Sequence, residues 1–390
     1  MRRTVLHRVR HELRYAPREA WGKFVNSRRR RKKKKVLLAW LSDLRRNPPD
    51  VLIGANVNAS DGIRNHLIGI RDHSALGVEL APPDDVMRAL SYHDLYATFR
   101  DVIQHFEPTG IGAIHSHVYP YFIEWCRRHK EVGPLWVHTY HSPYLKVDEA
   151  TPLEPWQEAI NRALIEDARH AHVRISVSRW QQKYLIDEHG ISAEYVPNGV
   201  DIEMCDRGTA AGFDMRIVRD KDFVLFVGRN DPVKNPRSFV LLAEKLPHLT
   251  FVMIGNGLTP DAVTALHGKE SPPNLVTLGE VSRVGVQNAL AACSALVVPS
   301  IREGLPTLVL EAMTHSRAVV VADNPGCVEA IAGGRYGFVY RQGDISDMAE
   351  KTEAALADGE RRFGARDHVL AEYDWRAVAL KLDAIYRMRP

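Results

Sequence analysis

The sequence predicts two tandem, doubly wound α/β domains. Three observations carry this reading. Short apolar runs alternate with longer helical patterns, and the alternation occurs twice, on either side of a polar passage at 197–220. The chain has 390 residues, more than a single hydrophobic core organises. Strand–helix alternation of this kind favours parallel sheets with helices on both faces.

In the first half the candidate strands are Val51–Ala55, Ile111–His115, Leu135–Thr139, Val173–Val177 and Glu194–Val196. Helical patterns separate them at Ile63–Arg71, Asp84–Phe106, Tyr121–His129, Glu154–His170 and Arg179–His189. PNGVD at 197–201 opens the passage to the second series. Its strands are Phe223–Val227, Thr250–Ile254, Leu275–Thr277, Ala295–Val298, Ala318–Val321 and Phe338–Tyr340. A last helix follows Tyr373-Asp374. The expected division is an extension at 1–35, a first domain at 36–205, a second at 206–370, and a terminal helix at 371–390 returning to the first domain. Ligands of such sheets lie beyond the carboxyl ends of the strands. The loops after strands are therefore where chemistry is sought.

Composition fits a globular enzyme, with 45% hydrophobic and 26% charged residues. The longest apolar runs, such as VLLAWL at 36–41, are far short of the ~20 residues of a membrane span. No apolar segment of a secretory signal follows the basic start, and four scattered cysteines show no metal-ligand spacing. A reduced, cytoplasmic compartment is the expectation. Charge is asymmetric. Residues 1–35 hold 15 of the 52 Lys and Arg and two of the 48 Asp and Glu, a net +13, which leaves the rest at −9. The unbroken run Arg28 to Lys35 is expected to be disordered through self-repulsion. It reads as a solvated extension or as an anchor on an anionic membrane surface. No aromatic platform or recognition module accompanies it, which disfavours nucleic acid.

Several loops carry candidate chemistry. GRNDPVKN after Phe223–Val227 places Arg229 and Lys234 where two cations could neutralise a diphosphate. Gly255-Asn256-Gly257 ends the next strand and lets the backbone approach a ligand. PSIREGLPTLVLEAM sets Glu303 and Glu311 around the Gly304-Leu305-Pro306 turn. Pro306 suits the first helical position. The N–H groups of Thr307 and Leu308 then face a phosphate-sized anion, with the helix dipole behind them. Two acids flanking an anion site suit a ligand with hydroxyls on both sides of its phosphates, such as a nucleotide sugar. In the first half, Gly62 opens a helix that Ser60 or Asp61 could cap. His115, His117, His138 and His141 fall at two strand ends. His141, furthest past its strand, is the candidate for orienting a substrate. A metal site is disfavoured, since no neighbouring carboxylate or cysteine completes a tetrahedral set. Asp220-Lys221-Asp222 precedes a strand and so faces away from the expected cleft.

Together these residues resemble the retaining glycosyltransferases of the GT-B fold, in particular glycosyltransferase family 4. The resemblance spans most of 51–388. It is strong in FVGRNDPVKN, FVMIGNG, LGEVS, VVPSIREGLPTLVLEAM and NPGCVEAI. It is looser in DGIRNHL, IHSHVY, VHTYHS, ISVSRWQQKYL and VPNGVD. It implies two Rossmann-like domains facing a cleft, and a nucleotide diphosphate sugar as co-substrate, a UDP-sugar by default. No cofactor or metal is required. Arg229 and Lys234 would grip the diphosphate, with N–H groups from Thr307 and Leu308. Glu311 would accept from the ribose, Glu303 would bind the sugar near its reacting carbon, and His141 would lie beside it. The acceptor is expected to be a hydroxyl of a lipid-linked, envelope or other glycan at the inner face of the cell membrane. The competing readings are a sugar-nucleotide epimerase or phosphorylase on the same fold, and a non-catalytic polyanion binder using the basic arm.

Overall fold

The computed structural model describes residues 30–54, 62–83, 92–131, 133–144, 152–219 and 221–388. Residues 1–29, the proposed caps Ser60 and Asp61, and Asp220 lie outside them. Twelve strands among the described residues form two parallel sheets of six. The first contains β1 (Val51–Gly54), β2 (Val78–Ala81), β3 (Ala113–Ser116), β4 (Leu135–Tyr140), β5 (Val173–Ser176) and β6 (Glu194–Tyr195), in the order β2-β1-β3-β4-β5-β6. The second contains β7 (Phe223–Val227), β8 (Thr250–Ile254), β9 (Leu275–Gly279), β10 (Ala295–Val298), β11 (Ala318–Ala322) and β12 (Phe338–Tyr340), in the order β12-β11-β10-β7-β8-β9. β1, β3, β4, β10 and β11 are buried along their whole length, as strands covered on both faces must be. Strand order reverses between β1 and β3 and between β7 and β10. Loops diverge at these two switch points and leave room for a ligand.

Several elements differ from the sequence expectation. Residues 30–46 form one helix, so the described part of the basic run, 30–35, is its first turns and not a disordered tail. Leu37, Leu41 and Leu44 recur at helical spacing and are buried with Phe99 and Phe106. That docked stripe propagates the helix backwards into the charges, most of which remain exposed. The first domain therefore begins before residue 36. Strand β2 went unrecognised because VELA is four residues long and lies at the sheet edge. The pattern at Glu154–His170 breaks into an α-helix at Pro155–Arg162, a π turn at Ala163–Asp167 and a 3-10 turn at Ala168–His170. A helix at Ala365–Tyr373, also unrecognised, precedes the last one.

The chain crosses between domains twice, and the two crossings pair. Val200 and Asp374 form a parallel bridge, with Val200 N donating to Tyr373 O at 2.6 Å and Trp375 N to Val200 O at 3.2 Å. The helix Trp375–Tyr386 then joins the first domain's core, where Trp375, Val378, Leu382 and Ile385 pack with Val51, Ile53, Leu67 and Ile70. Asp383 accepts from Ser74 Oγ and from Ala75 N, and Tyr386 Oη pairs with His115 Nδ1 at 2.7 Å. Trp375 sits so close to Gly69 and Gly199 that a Cβ on either would fall 2.1 or 2.3 Å from its ring. Replacing this buried indole removes the wedge that holds both crossings. Trp375→Ala is expected to cost about 3–5 kcal/mol in urea unfolding, and a loss under 1 kcal/mol would contradict the packing argument.

Candidate active site

At the second domain's switch point, two loops are tied by backbone. Ile301 N, after β10, donates to Val233 O, after β7, at 2.8 Å. Val233 N is held in turn by Asp231 Oδ1 at 2.8 Å. This brings together two residues 69 positions apart, Lys234 and Glu303, whose Nζ–Oε1 distance is 2.6 Å. Glu303 is 13% and Lys234 31% exposed, so the pair is shielded yet reachable. Arg229 is half exposed on the same loop and pairs loosely with Asp231 at 3.6 Å. Beside them the helix Thr307–Thr314 begins. Pro306 is its N-cap and not its first helical residue, because its ψ of 103° is extended. The helix therefore starts one residue later than expected, with Thr307 and Leu308 as its first two N–H groups. Neither N–H has a partner among the described residues.

Glycines set the approach distances. A Cβ on Gly255 would fall 1.7 Å from Gly228 O, so the loops after β7 and β8 touch there. Asn230 N donates to Asn256 O at 2.9 Å, and Asn256 Nδ2 to Glu280 Oε2 at 3.2 Å. A Cβ on Gly304 would fall 2.3 Å from His141 O of the first domain. Trp180 Nε1 donates to Gly304 O at 2.6 Å, and Asn198 Nδ2 to Leu305 O at 3.2 Å. Glu329 of the second domain accepts from the N–H groups of Arg179 and Trp180 at 2.8 and 2.9 Å. It thus places a carboxylate on the N-terminus of the first-domain helix Arg179–His189, where the dipole favours it. The Glu303–Pro306 turn is therefore pinned from both sides of the cleft.

Glu311 lies one turn into the helix. Its Oε2 accepts from Gln287 Nε2 at 2.6 Å, and Gln287 Oε1 pairs with His315 Nε2 at 2.9 Å. Burial raises the Glu311 carboxyl above its usual range, and the Gln287 bond partly offsets this. Across the cleft, five first-domain histidines crowd together. Burial pushes His115 down to about 3 and His141 down to about 4. It also lowers His66, His117 and His138, with neighbouring imidazoles adding to the effect. His141 Nε2 lies 3.0 Å from His117 Nδ1, so its ring is engaged within its own domain while its carbonyl faces Gly304. Gly62 opens the helix Gly62–His73, and a Cβ there would meet nothing within 4 Å.

Two family models match in tandem along this framework. Residues 59–204 match Glycosyltransferase Family 4, and residues 212–367 match Glycosyl transferases group 1. The chain belongs to these glycosyltransferases. Among its relatives is the D-inositol 3-phosphate glycosyltransferase of Mycolicibacterium smegmatis, 28% identical over 72% of this chain and 68% of that protein. Another is the phosphatidyl-myo-inositol mannosyltransferase of Mycobacterium tuberculosis, 26% identical over 55% of this chain and 58% of its own length. Among solved structures, sucrose-phosphate synthase from Thermosynechococcus elongatus superposes with a TM-score of 0.68 at 17% identity, covering 86% of this chain and 98% of that one. The Anabaena protein HepE in complex with UDP and glucose gives 0.67 at 16%, covering 87% and 100%. The fold is GT-B, two Rossmann-like domains facing a cleft.

The glycosyltransferase brings Lys234, Glu303, Gly304, Thr307 and Leu308 together at one switch point and seats His141 against them through its carbonyl. Arg229, Gly255 and Asn256 line the adjoining loops, while Glu311 sits deeper in its helix. Sequence reading missed Trp180, Asn198, Gln287 and Glu329, which act on backbone or on another side chain. Their partners are 24 to 150 positions away, so local pattern could not reveal them. The histidines give a pH prediction. Their folded-state pKa values lie below the usual 6.5, so the unfolded chain binds more protons as pH falls. Their contribution is complete above 6.5 and is lost toward pH 4, at up to about 1.4 kcal/mol per pH unit for each histidine that titrates. Urea midpoints measured from pH 7.5 to 4.5 in chelator-containing buffer should fall steeply below 6.5, and a flat profile would refute the buried neutral cluster.

Proposed function

We propose that the chain transfers a hexose from a UDP-sugar, with retention of anomeric configuration, to a hydroxyl of a phosphorylated or lipid-linked polyol acceptor. One observation carries the reading: the Lys234–Glu303 pair lies beside two helix N–H groups that have no partner among the described residues, at the switch point of the second sheet. Departure of a nucleoside diphosphate leaves an oxocarbenium-like sugar and develops negative charge on phosphate. Lys234, Arg229 and the N–H groups of Thr307 and Leu308 stabilise that charge from fixed positions, so the protein itself supplies what a metal supplies elsewhere. Glu303 accepts from sugar hydroxyls close to the reacting carbon. Glu311 keeps one carboxylate oxygen beyond the Gln287 bond for the ribose. The leaving phosphate takes the acceptor proton on the face it departs from, which retains configuration. His141 closes the wall beside the sugar.

The acceptor class follows from two supports. Relatives are named for transfer to D-inositol 3-phosphate and phosphatidyl-myo-inositol. The exposed basic turns at 30–35 offer an anionic surface a place to dock, and no described helix is long and apolar enough to cross a membrane. On this reading the enzyme works at the inner face of the cell membrane, where such acceptors are presented.

Lys234→Ala, Arg229→Ala and Glu303→Gln should each lower transfer by about 10²–10³ with unchanged circular dichroism. Wild-type rates in all three would overturn the site. UDP-hexoses should raise the melting temperature more than GDP- or TDP-sugars at equal concentration, and a larger GDP-mannose shift would replace the donor assignment. Reversing Arg31, Lys32, Lys34 and Lys35 to Glu should cut partitioning into anionic vesicles at least tenfold, since each charge near such a surface contributes on the order of 1 kcal/mol. Unchanged sedimentation would rule out the basic turns as an anchor.

A further inference from the structure

Three histidines from separate segments converge at the first domain's switch point. His66 comes from the helix Gly62–His73, His117 follows β3 and His141 follows β4. One ring nitrogen of each lies within 4.8 Å of those of the other two. The three residues are 4%, 1% and 8% exposed, so water does not satisfy them freely. Among the described residues, both nitrogens of His66 are buried without a hydrogen-bond partner, and Asn198 lies beside one of them. Native interiors rarely leave imidazole nitrogens orphaned, and the His66 nitrogen away from Asn198 calls for a partner.

We propose that His66, His117 and His141 bind one divalent transition metal ion, with zinc the best fit. Tetrahedral zinc with bonds of about 2.0–2.1 Å sets its donor atoms about 3.3 Å apart. His117 Nδ1 and His141 Nε2 already stand 3.0 Å apart. His66 faces both rings edge-on, at centroid distances of 5.6 Å from His117 and 4.8 Å from His141. Three neutral imidazoles suit zinc, copper or nickel and do not suit magnesium or calcium. Burial keeps the rings neutral, which is the form that ligates. An outer support is present too. Asn198 lies beside His66, and its Oδ1 is buried without a partner among the described residues, ready to accept from the His66 nitrogen not on the metal. His115 stands over His117 at 4.2 Å and is fixed by Tyr386 and Thr139. The metal would tie the helix Gly62–His73 to the ends of β3 and β4. A sequence search for ligands could not assemble this set, because His66 is 51 positions before His117 and carries no spacing signal.

The site shares His141 with the proposed donor cleft, so the test reads metal and not turnover. The full chain is stripped with a chelator and titrated with Co²⁺. One equivalent should bind with the visible absorption of tetrahedral cobalt and be displaced by Zn²⁺. His66→Gln and His117→Gln should each weaken binding at least tenfold, whereas Glu303→Gln should bind the metal as the wild type does. In histidine-labelled wild-type protein, one equivalent of Zn²⁺ should shift the imidazole resonances of His66, His117 and His141. This last measurement decides the matter if the variants misfold. Absence of stoichiometric binding, binding indifferent to both substitutions, or shifts confined to other histidines would overturn the proposal.

Discussion

Trp375 is the contact on which both domains depend. Its indole fills the space over Gly69 and Gly199, two positions where any side chain would collide with it. Gly69 belongs to the helix after β1, and Gly199 to the first crossing between domains. The same ring lies 5.3 Å from His66. One side chain thus locks the returning helix, the first crossing and one wall of the histidine cluster. The bridge between Val200 and Asp374 then makes the two crossings a single paired strut. A strut of two chains has fewer ways to bend than two separate linkers. Movement of one domain on the other must therefore turn about this strut.

The cleft beside that strut is assembled by backbone. Gly304 meets the His141 carbonyl, Gly326 lies against the carbonyls of Glu303 and Gly304, and Gly255 lies against Gly228. Three cross-domain hydrogen bonds from Trp180 and the Arg179–Trp180 amides add to these. Contacts of this kind fix where the Glu303 turn stands without spending its side chains. Glu303 and the helix N–H groups stay available because neighbouring residues do the holding. Asn324 contributes on the same principle: it donates to Ser300 O at 2.8 Å and accepts from Cys327 N at 3.0 Å. The turn is thereby set from the adjacent helix Pro325–Ala330.

Much of this was legible in the sequence where the signal is local. β7, β8, β10 and β12 begin and end where their apolar runs do, because buried parallel strands read as continuous apolar stretches. The switch-point loops were legible through glycine, proline and charge at strand ends. β2 was not, since a four-residue edge strand gives no period to count. The helix at 30–46 was hidden because eight like charges outweighed three leucines spread at helical spacing. In the site, Lys234 and Glu303 could be named but their contact could not, since it needs the Ile301–Val233 bond between two loops. His141 could be chosen as a cleft residue, whereas His66 and Glu329 act only through the folded arrangement.

The Lys234–Glu303 pair also says how such a site can wait for its ligand. A half-buried ammonium without a counter-charge would be costly, and a half-buried carboxylate equally so. Paired at 2.6 Å, each satisfies the other in the free protein. Under the proposed function, a diphosphate arriving at Lys234 would supply the negative charge that Glu303 supplies in the free protein. Glu303 would then be released to accept from sugar hydroxyls. Neither group would be left unpaired, and no side chain would have to cross the cleft. The exchange is one anion for another at a fixed cation, on loops already held in place by backbone contacts.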